Sequence, residues 1–303
     1  MVEMREATVI IDGLTLTEGP RWHQGRFWFS DLYNHRVCSA EEDGSDLRVE
    51  ASLDGVPSGL GWLPDGRLLI IHQDARLVLR REPDGTLVVH ADLSGCARSW
   101  ANDMVVAPDG TAYVGCWGFD LHNGAPFEPA PLMRVTPDGQ VSVVGEPMYF
   151  PNGSVMVDDT SLLVAESFGN RISQYDILPD GQLADRRNWA TFGPMPRSTD
   201  LKARYGEYVV APDGISDLDA EGAVWVADFT KCHASRVRPG GEIVDRAATG
   251  DHNCYAAALG GADGRTLFLC ATRATEDEMD PELRARDPQG TIQVCRVDVP
   301  LRA

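Results

Sequence analysis

The sequence predicts an all-β fold, a six-bladed β-propeller that forms one domain over residues 1–303. Three observations support this prediction. Asp-Gly turns recur between short apolar runs, amphipathic helical periodicity is nearly absent, and one segment pattern is repeated six times along the chain. Together they indicate short antiparallel strands arranged as repeated units.

The turns are the clearest local signal. Asp-Gly tolerates the positive φ that a tight hairpin turn requires. Each turn lies between short runs rich in Val, Leu, Tyr and Trp, such as RLLIIH and AVWVADF. The turns of this kind are Pro64-Asp65-Gly66, Pro83-Asp84-Gly85, Pro108-Asp109-Gly110, Pro137-Asp138-Gly139, Pro179-Asp180-Gly181 and Asp263-Gly264.

Six segments align on these turns and define the predicted blades. They start at Glu18, Ser58, Asn102, Asn152, Asp213 and, in a degenerate copy, near Ala256. The starts are roughly 40–60 residues apart, which suits blades of four strands and about 40–50 residues each. No seventh copy is found. We expect the N-terminal strand around residues 7–11 to pair beside residues 291–297, which closes the ring and removes exposed strand edges.

Composition limits the partners. The chain has 27 basic and 46 acidic side chains and a net charge of −19, which repels nucleic acid and anionic membrane surfaces. No apolar run approaches the roughly 20 residues that span a bilayer. The seven cysteines include no CxxC pair, and several lie in strand-like runs. We therefore predict a reduced, cytoplasmic protein whose partner is a small molecule.

The aligned starts share oxygen-bearing side chains. The first strand of every propeller blade lines the central channel, so equivalent starts converge at one mouth of it. Glu18 and Asp213 bring carboxylates, and Asn102 and Asn152 bring amides. A set without sulfur or imidazole indicates a hard divalent cation, calcium first and magnesium or manganese next.

A simpler interpretation treats Asp213-Gly214 as one more turn, because an isolated Asp-Gly or Asn-Gly is usually only that. Its position argues otherwise. A second turn, Glu221-Gly222, follows before AVWVAD, so Asp213 is expected to open the first strand of its blade.

These motifs, as an ordered set, resemble a known family. The EGP start at residues 18–20, ND at 102–103, PNG at 151–153 and the late PDG followed by DAEGAVWVA are similar to the regucalcin/gluconolactonase (senescence marker protein) family. The resemblance covers nearly the whole chain. It implies a six-bladed propeller, one catalytic divalent cation at the channel mouth and lactone hydrolysis as the commonest activity. Calcium is the expected cation, with magnesium, manganese and zinc as alternatives.

Carried over by position, the family's metal ligands fall on Glu18, Asn152 and Asp213. Asn102 matches an asparagine that contacts substrate or completes the metal shell, and this alternative stays open. Asp213 also matches the residue proposed as general base.

Two further family positions concern the substrate. Sugar-lactone members carry an arginine two residues before the matched asparagine, and this chain has Trp100 there. The family's acidic residue after the second strand of that blade falls on Asp120. An indole has a single N–H donor and cannot replace a guanidinium fork. We therefore predict a relatively apolar or aromatic lactone, with a sugar lactone as the alternative.

Two long inserts, residues 118–131 and 193–208, are expected on the mouth side, where they would form a lid. Four more side chains on that side are candidates for substrate binding: Trp117, Phe119, His72 and His252. No Gly-x-Ser-x-Gly elbow is present, which favours metal-assisted hydrolysis over a covalent serine mechanism. Open or phosphotriester-like esters remain alternative substrates. A non-catalytic calcium-binding propeller platform remains the alternative class.

Overall fold

A computed structural model describes residues 4–273 and 285–302. It divides into two compact units, one made of residues up to Asp54 together with those from Asp213 onward, and the other of Gly55–Pro212. Each unit contains three sheets of four antiparallel strands, and one sheet of the unit that holds both chain ends carries an additional edge strand. The six sheets confirm the predicted number of blades and the number of strands in each.

Within residues 4–273 and 285–302 the chain consists mainly of strands, with little helix between them. The first half contains β1 (Met4–Glu6), β2 (Thr8–Leu14), β3 (Thr17–His23), β4 (Arg26–Asp31), β5 (Arg36–Ala40), β6 (Arg48–Ser52), β7 (Pro57–Trp62), β8 (Leu68–His72), β9 (Leu77–Arg81), β10 (Leu87–Asp92), β11 (Ala101–Val106), β12 (Ala112–Cys116), β13 (Ala130–Val135) and β14 (Val141–Met148). The second half contains β15 (Pro151–Asp158), β16 (Ser161–Glu166), β17 (Arg171–Ile177), β18 (Leu183–Thr191), helix α1 (Leu201–Tyr205), β19 (Pro212–Ile215), β20 (Val224–Asp228), β21 (His233–Val237), β22 (Ile243–Ala248), β23 (His252–Gly260), β24 (Thr266–Arg273) and β25 (Gly290–Arg296). A short 3-10 helix occupies Leu32–Asn34.

The unit that holds both chain ends contains the sheets β3–β6, β19–β22 and β23–β25. Strand β2 completes the last of these by pairing antiparallel with β25, with Thr8 opposite Val294. The N-terminal strand therefore pairs beside β25, as predicted. Strand β1 adds a parallel edge strand to β22, with Arg5 opposite Ala247. The N-terminal segment therefore contributes strands to two sheets of its unit.

The unit Gly55–Pro212 contains the sheets β7–β10, β11–β14 and β15–β18, each in chain order. Its aliphatic core is formed by alternate residues of these strands, such as Leu69, Ile71, Met104 and Val114. Fully burying a side chain of this size contributes about 1.5–3 kcal/mol. In the other unit, the rings of Phe27 and Phe268 stack with centroids 4.3 Å apart.

The hairpin turns have the predicted chemistry. In the five Pro-Asp-Gly turns, glycine φ lies between +78° and +88°, which only glycine adopts without strain. The aspartate fixes the turn with its side chain, as where Asp65 Oδ1 accepts from Arg67 N at 3.0 Å. Gly214 has no positive φ and lies within β19. This confirms that Asp213 opens a strand.

Both long inserts belong to the Gly55–Pro212 unit and lie in the predicted connections. The first joins β12 to β13, and the second, which contains α1, follows β18. Asp200 caps α1 by accepting from Ala203 N at 2.8 Å. Phe127 N of the first insert donates to Thr199 O of the second at 2.9 Å. The two inserts therefore pack as one layer.

None of the seven cysteines, all of which lie in the described residues, forms a disulfide. Within residues 4–273 and 285–302, no helix has the length and apolar character needed to cross a membrane.

Candidate functional site

The candidate residues occupy one repeated position. In five sheets the first strand begins one residue before the aligned side chain, which is therefore the second residue of its strand. The five strand openings are Thr17–Glu18, Pro57–Ser58, Ala101–Asn102, Pro151–Asn152 and Pro212–Asp213. The equivalent strand positions that the sequence repeats predicted are thus present in the strands.

A β-bulge accompanies this position. The pairing of the first strand with the second shifts register between Glu18 and Arg21, and equivalent shifts occur after Pro57, Ala101 and Pro151. A bulge adds one residue to one strand, bends it and redirects its side chains. The repeated bulge therefore gives these strand openings a side-chain direction that a regular strand would not have.

The carboxylates lie in the unit that holds both chain ends. Asp213 is buried with 5% of its surface exposed, and Glu18 is half-buried. Burial raises the pKa of the Cys254 thiol well above its ordinary value, and the nearby Cys270, Asp213, Asp228 and Glu18 raise it further. The negative charges of Glu18 and Asp213 therefore act on the same buried thiol.

Asp228 was not predicted from the sequence. It ends β20, is buried, and accepts hydrogen bonds from Thr230 N at 3.0 Å and Thr230 Oγ1 at 2.7 Å. In two other sheets the second strand also ends in a buried acidic residue. These residues are Asp31 at the end of β4 and Glu166 at the end of β16. Their recurrence before a turn was the sequence signal that could have identified this position.

The amides lie in the Gly55–Pro212 unit, next to each other. Asn102 Nδ2 donates to Pro151 O at 3.4 Å, one residue before Asn152. Asn102 Oδ1 accepts from Gln73 Nε2 at 3.4 Å. Asn152 Nδ2 donates to Ser167 Oγ at 3.1 Å. Neither Gln73 nor Ser167 was predicted. Both directly follow the second strand of their sheet.

A close backbone approach explains the glycine after Asp213. A Cβ atom on Gly214 would lie 2.4 Å from Ala256 Cβ and 2.7 Å from Ala256 Cα. Only glycine allows β19 to lie this close to β23. The same packing holds the Asp213 strand opening against the neighbouring sheet of its unit.

The donor chemistry fits a hard cation. The candidate ligands are carboxylate and amide oxygens, which are the ligand types that calcium prefers. The set includes no thiolate and no imidazole. In the part of the chain that the structure describes, no three or more His, Cys, Asp or Glu side chains are grouped as a metal site. The predicted site combines carboxylates with amides, and its assembly around a cation remains a prediction.

The aromatic candidates form a cluster. Trp100 is half-buried and stacks on Trp117 with centroids 5.0 Å apart, and the His122 ring lies 4.3 Å from the Trp100 ring. Trp117 and Phe119 are each only 6% exposed. Little surface of these two rings is left for a ligand, whereas Trp100 keeps an accessible part.

The remaining candidates have local partners. His72 is buried at the end of β8, with Nδ1 3.2 Å from Asp74 Oδ1. His252 opens β23, with Nδ1 2.9 Å from Asp251 Oδ1. Asp120 is exposed, and its Oδ2 accepts from Asn123 Nδ2 at 2.7 Å. Their contact with substrate stays a prediction.

The fold is that of a six-bladed β-propeller. The solved structure of regucalcin from Agrobacterium tumefaciens, described as a calcium-binding protein, has a TM-score of 0.77 and 20% identity, covering all of this chain and 98% of that one. Residues 16–273 match the model of the SMP-30/gluconolactonase/LRE-like region. The chain belongs to this family, as the sequence motifs indicated.

Two curated relatives are similar over part of the chain. Virginiamycin B lyase of Nocardia farcinica is 31% identical over 193 residues, 62% of this chain and 57% of that protein. A 6-deoxy-6-sulfogluconolactonase of Pseudomonas putida is 26% identical over 209 residues, 68% of this chain and 65% of that protein. The matched stretches span less than two thirds of either relative's own length.

Proposed function

We propose that this protein is a divalent-metal-dependent hydrolase that opens lactones, with calcium as the first candidate cation. One observation carries the proposal. In a chain of the gluconolactonase family, carboxylate or amide side chains recur at the second residue of the first strand in four of the sheets: Glu18, Asn102, Asn152 and Asp213. First strands of a propeller surround its central channel, where such oxygens suit a hard cation.

Glu18, Asn152 and Asp213 would hold the cation. The two carboxylates match the charge of a divalent ion, which lowers the cost of gathering them in a channel. Their joint effect on the Cys254 thiol supports the convergence of the carboxylates. The contact of Asn102 with the Asn152 segment supports a shared location of the amides, with Asn102 completing the shell or contacting substrate.

A divalent cation held by these side chains would polarise the lactone carbonyl and stabilise negative charge on its oxygen. Asp213 would accept a proton from the water that attacks the carbonyl carbon. The ring C–O bond then breaks, and the ring oxygen takes up a proton to give a hydroxy acid. Because Asp213 is buried, bulk water has little access to the carboxylate that would accept the proton of the attacking water.

The substrate class has two candidates. Family membership and the Pseudomonas putida relative favour a sugar-acid lactone. Trp100, stacked on Trp117 at the position of the family's arginine, favours a less polar ring. Sugar lactones are therefore the first substrates to assay, and an aromatic lactone is assayed with them for comparison.

The test is a panel of sugar δ- and γ-lactones and dihydrocoumarin, assayed on chelator-treated protein before and after calcium is restored. We expect hydrolysis that depends on the cation and incorporates one oxygen from ¹⁸O-labelled water into the product carboxylate. Ring opening without that oxygen, with a new C=C bond, would instead indicate a lyase such as the Nocardia farcinica relative. No turnover of any lactone in the reconstituted protein would favour the binding platform and contradict the proposal.

A further inference from the structure

The segment before Asn152 is conformationally strained. Phe150 has φ +64°, in the left-handed region that large side chains rarely adopt, and its ring is buried. Such a conformation persists only where the surroundings enforce it, and it is often found near functional groups. Here it lies two residues before a candidate ligand.

Ring stacking holds Phe150 in place. Its ring is 4.6 Å from the Phe168 ring, centroid to centroid, with an interplanar angle of 18°. The Phe150 ring also lies 5.8 Å from the Trp117 ring, centroid to centroid, with an interplanar angle of 27°. Stacked aromatic pairs add stabilisation beyond the burial of their surfaces. The two neighbouring rings therefore fix the Phe150 side chain, and the stacking energy offsets the backbone strain.

The backbone of the same segment is tied to residues 166–168. Tyr149 N donates to Glu166 Oε2 at 2.8 Å. Ser167 N donates to Phe150 O, and Phe168 N donates to Tyr149 O, both at 3.1 Å. Three hydrogen bonds thus join the segment before Asn152 to the turn after β16.

The side chain of Asn152 is joined to the same turn. Asn152 Nδ2 donates to Ser167 Oγ at 3.1 Å, and both side chains are buried. An amide has a donor end and an acceptor end, and only its oxygen binds a cation. By engaging Nδ2, the Ser167 hydroxyl determines which way Oδ1 points.

We infer that Ser167, supported by the strained Phe150, is a positioning residue that sets the direction of the Asn152 carbonyl oxygen before any cation binds. The inference rests on the proposed metal role of Asn152 and deepens it. A cation ligand that is oriented in advance binds more tightly, because its partner hydrogen bonds fix the amide rotamer. Loss of such a partner costs on the order of 10–100-fold in metal affinity.

The chain offers a matched control. Ser161 begins the same strand, β16, is buried, and its hydroxyl accepts from an amide, Gln174 Nε2, at 2.6 Å. It lies at the opposite end of the strand from Ser167. Ser161→Ala therefore removes a buried hydroxyl with the same type of partner, and Ser167→Thr keeps the hydroxyl at the tested position.

The experiment combines calorimetric titration with calcium and NMR of the metal-free protein. In Ser167→Ala we expect at least a tenfold rise in the calcium Kd and faster solvent exchange of the Asn152 side-chain amide protons. Ser161→Ala and Ser167→Thr should keep the parent's values of both.

The two readouts separate the inference from the proposed function. If the parent binds no calcium or other divalent cation, the metal proposal fails, while the amide exchange still decides whether Ser167 orients Asn152. If the parent binds calcium and Ser167→Ala binds it with unchanged Kd and unchanged amide exchange, the positioning role is wrong. An equal loss of affinity in Ser161→Ala would also overturn it.

Discussion

The guanidinium carbon of Arg204 lies 3.8 Å from the ring centre of Phe127 and so joins the two inserted loops. Arg204 is almost fully buried in α1, where its Nη1 donates to Ser198 O at 2.6 Å and its Nη2 to Phe168 O at 2.7 Å. Burial lowers its pKa. Among the described residues it forms no ion pair with a carboxylate, so carbonyl oxygens and aromatic faces offset its charge.

Arg204→Met should weaken the packing between the two inserts, residues 118–131 and 193–208. Methionine keeps apolar volume but leaves two carbonyl oxygens without their charged donor, at a cost of about 2–4 kcal/mol in the free energy of unfolding. Urea denaturation measures this cost, and limited proteolysis should cleave residues 193–208 sooner. Lys202→Met, on the exposed side of the same helix, is the control and should stay within about 0.5 kcal/mol. Equal effects of both changes would contradict the anchoring role of Arg204.

Phe150 allows strain and stacking to be separated. Phe150→Ala loses the ring but keeps a side chain at positive φ, and it should destabilise the protein by about 3–5 kcal/mol. Phe150→Gly loses the same ring but removes the strain. The Phe150→Gly variant should therefore be more stable than Phe150→Ala by about 1 kcal/mol, the reverse of the order expected at a negative φ. Chemical denaturation of the two variants decides the matter, and an alanine variant as stable as the glycine variant would argue against strain at this position.

Glu166 should give the protein an acid-sensitive component. Burial raises the pKa of this carboxyl, but the hydrogen bond from Arg171 and the charges of Arg186 and Arg171 outweigh burial and hold it below the ordinary 4.5. A lowered folded-state pKa contributes stability above pH 4.5, and that stability is lost as the pH falls through the folded pKa.

Glu166→Gln should therefore cost about 3–5 kcal/mol at pH 7, because it leaves two arginines without their buried partner. Its difference from the parent should shrink as the pH falls from 4.5 through the lower pKa of the folded carboxyl, because the unfolded parent is protonated first. Unfolding free energies measured between pH 3 and 7 test both statements. A pH-independent difference would show that the ionisation of Glu166 is not the source.

Trp100 is the natural position at which to change substrate preference. Trp100→Arg should raise kcat/KM for a sugar-acid lactone relative to dihydrocoumarin by roughly tenfold or more, the value of one charge-assisted hydrogen bond. Trp100→Ala should weaken binding of the aromatic lactone by about 1–3 kcal/mol, because an apolar wall is lost. An unchanged ratio in Trp100→Arg would mean that the indole does not face the substrate.

The sequence predicted those features that repeat. Turn chemistry gave the hairpins, strand periodicity gave the sheets, and alignment of the repeats placed Glu18, Asn102, Asn152 and Asp213 at the same strand position. The Thr8–Val294 pairing was also predictable, because a closed ring leaves no unpaired edge. Each of these features depends on local residue types or on fold-wide symmetry.

The features that were not predicted depend on particular contacts. Ser167 and Gln73 are unremarkable in sequence, and their importance appears only when their side chains meet Asn152 and Asn102. The β1 pairing with β22 uses three residues, too few for a pattern. A buried arginine such as Arg204 cannot be recognised before the carbonyl groups that accept its hydrogen bonds are located.

Calcium titration by calorimetry of the chelator-treated parent, Glu18→Gln and Asp213→Asn tests the central claim most directly. Both substitutions keep size and remove one negative charge, and Asp217→Asn, an exposed carboxylate four residues beyond Asp213, is the control. We predict one calcium per chain in the parent and in Asp217→Asn. The two ligand variants should remain folded but show no detectable binding and no calcium-dependent lactone hydrolysis. Binding of one calcium with the parent's affinity in Glu18→Gln or Asp213→Asn would contradict the proposed metal site.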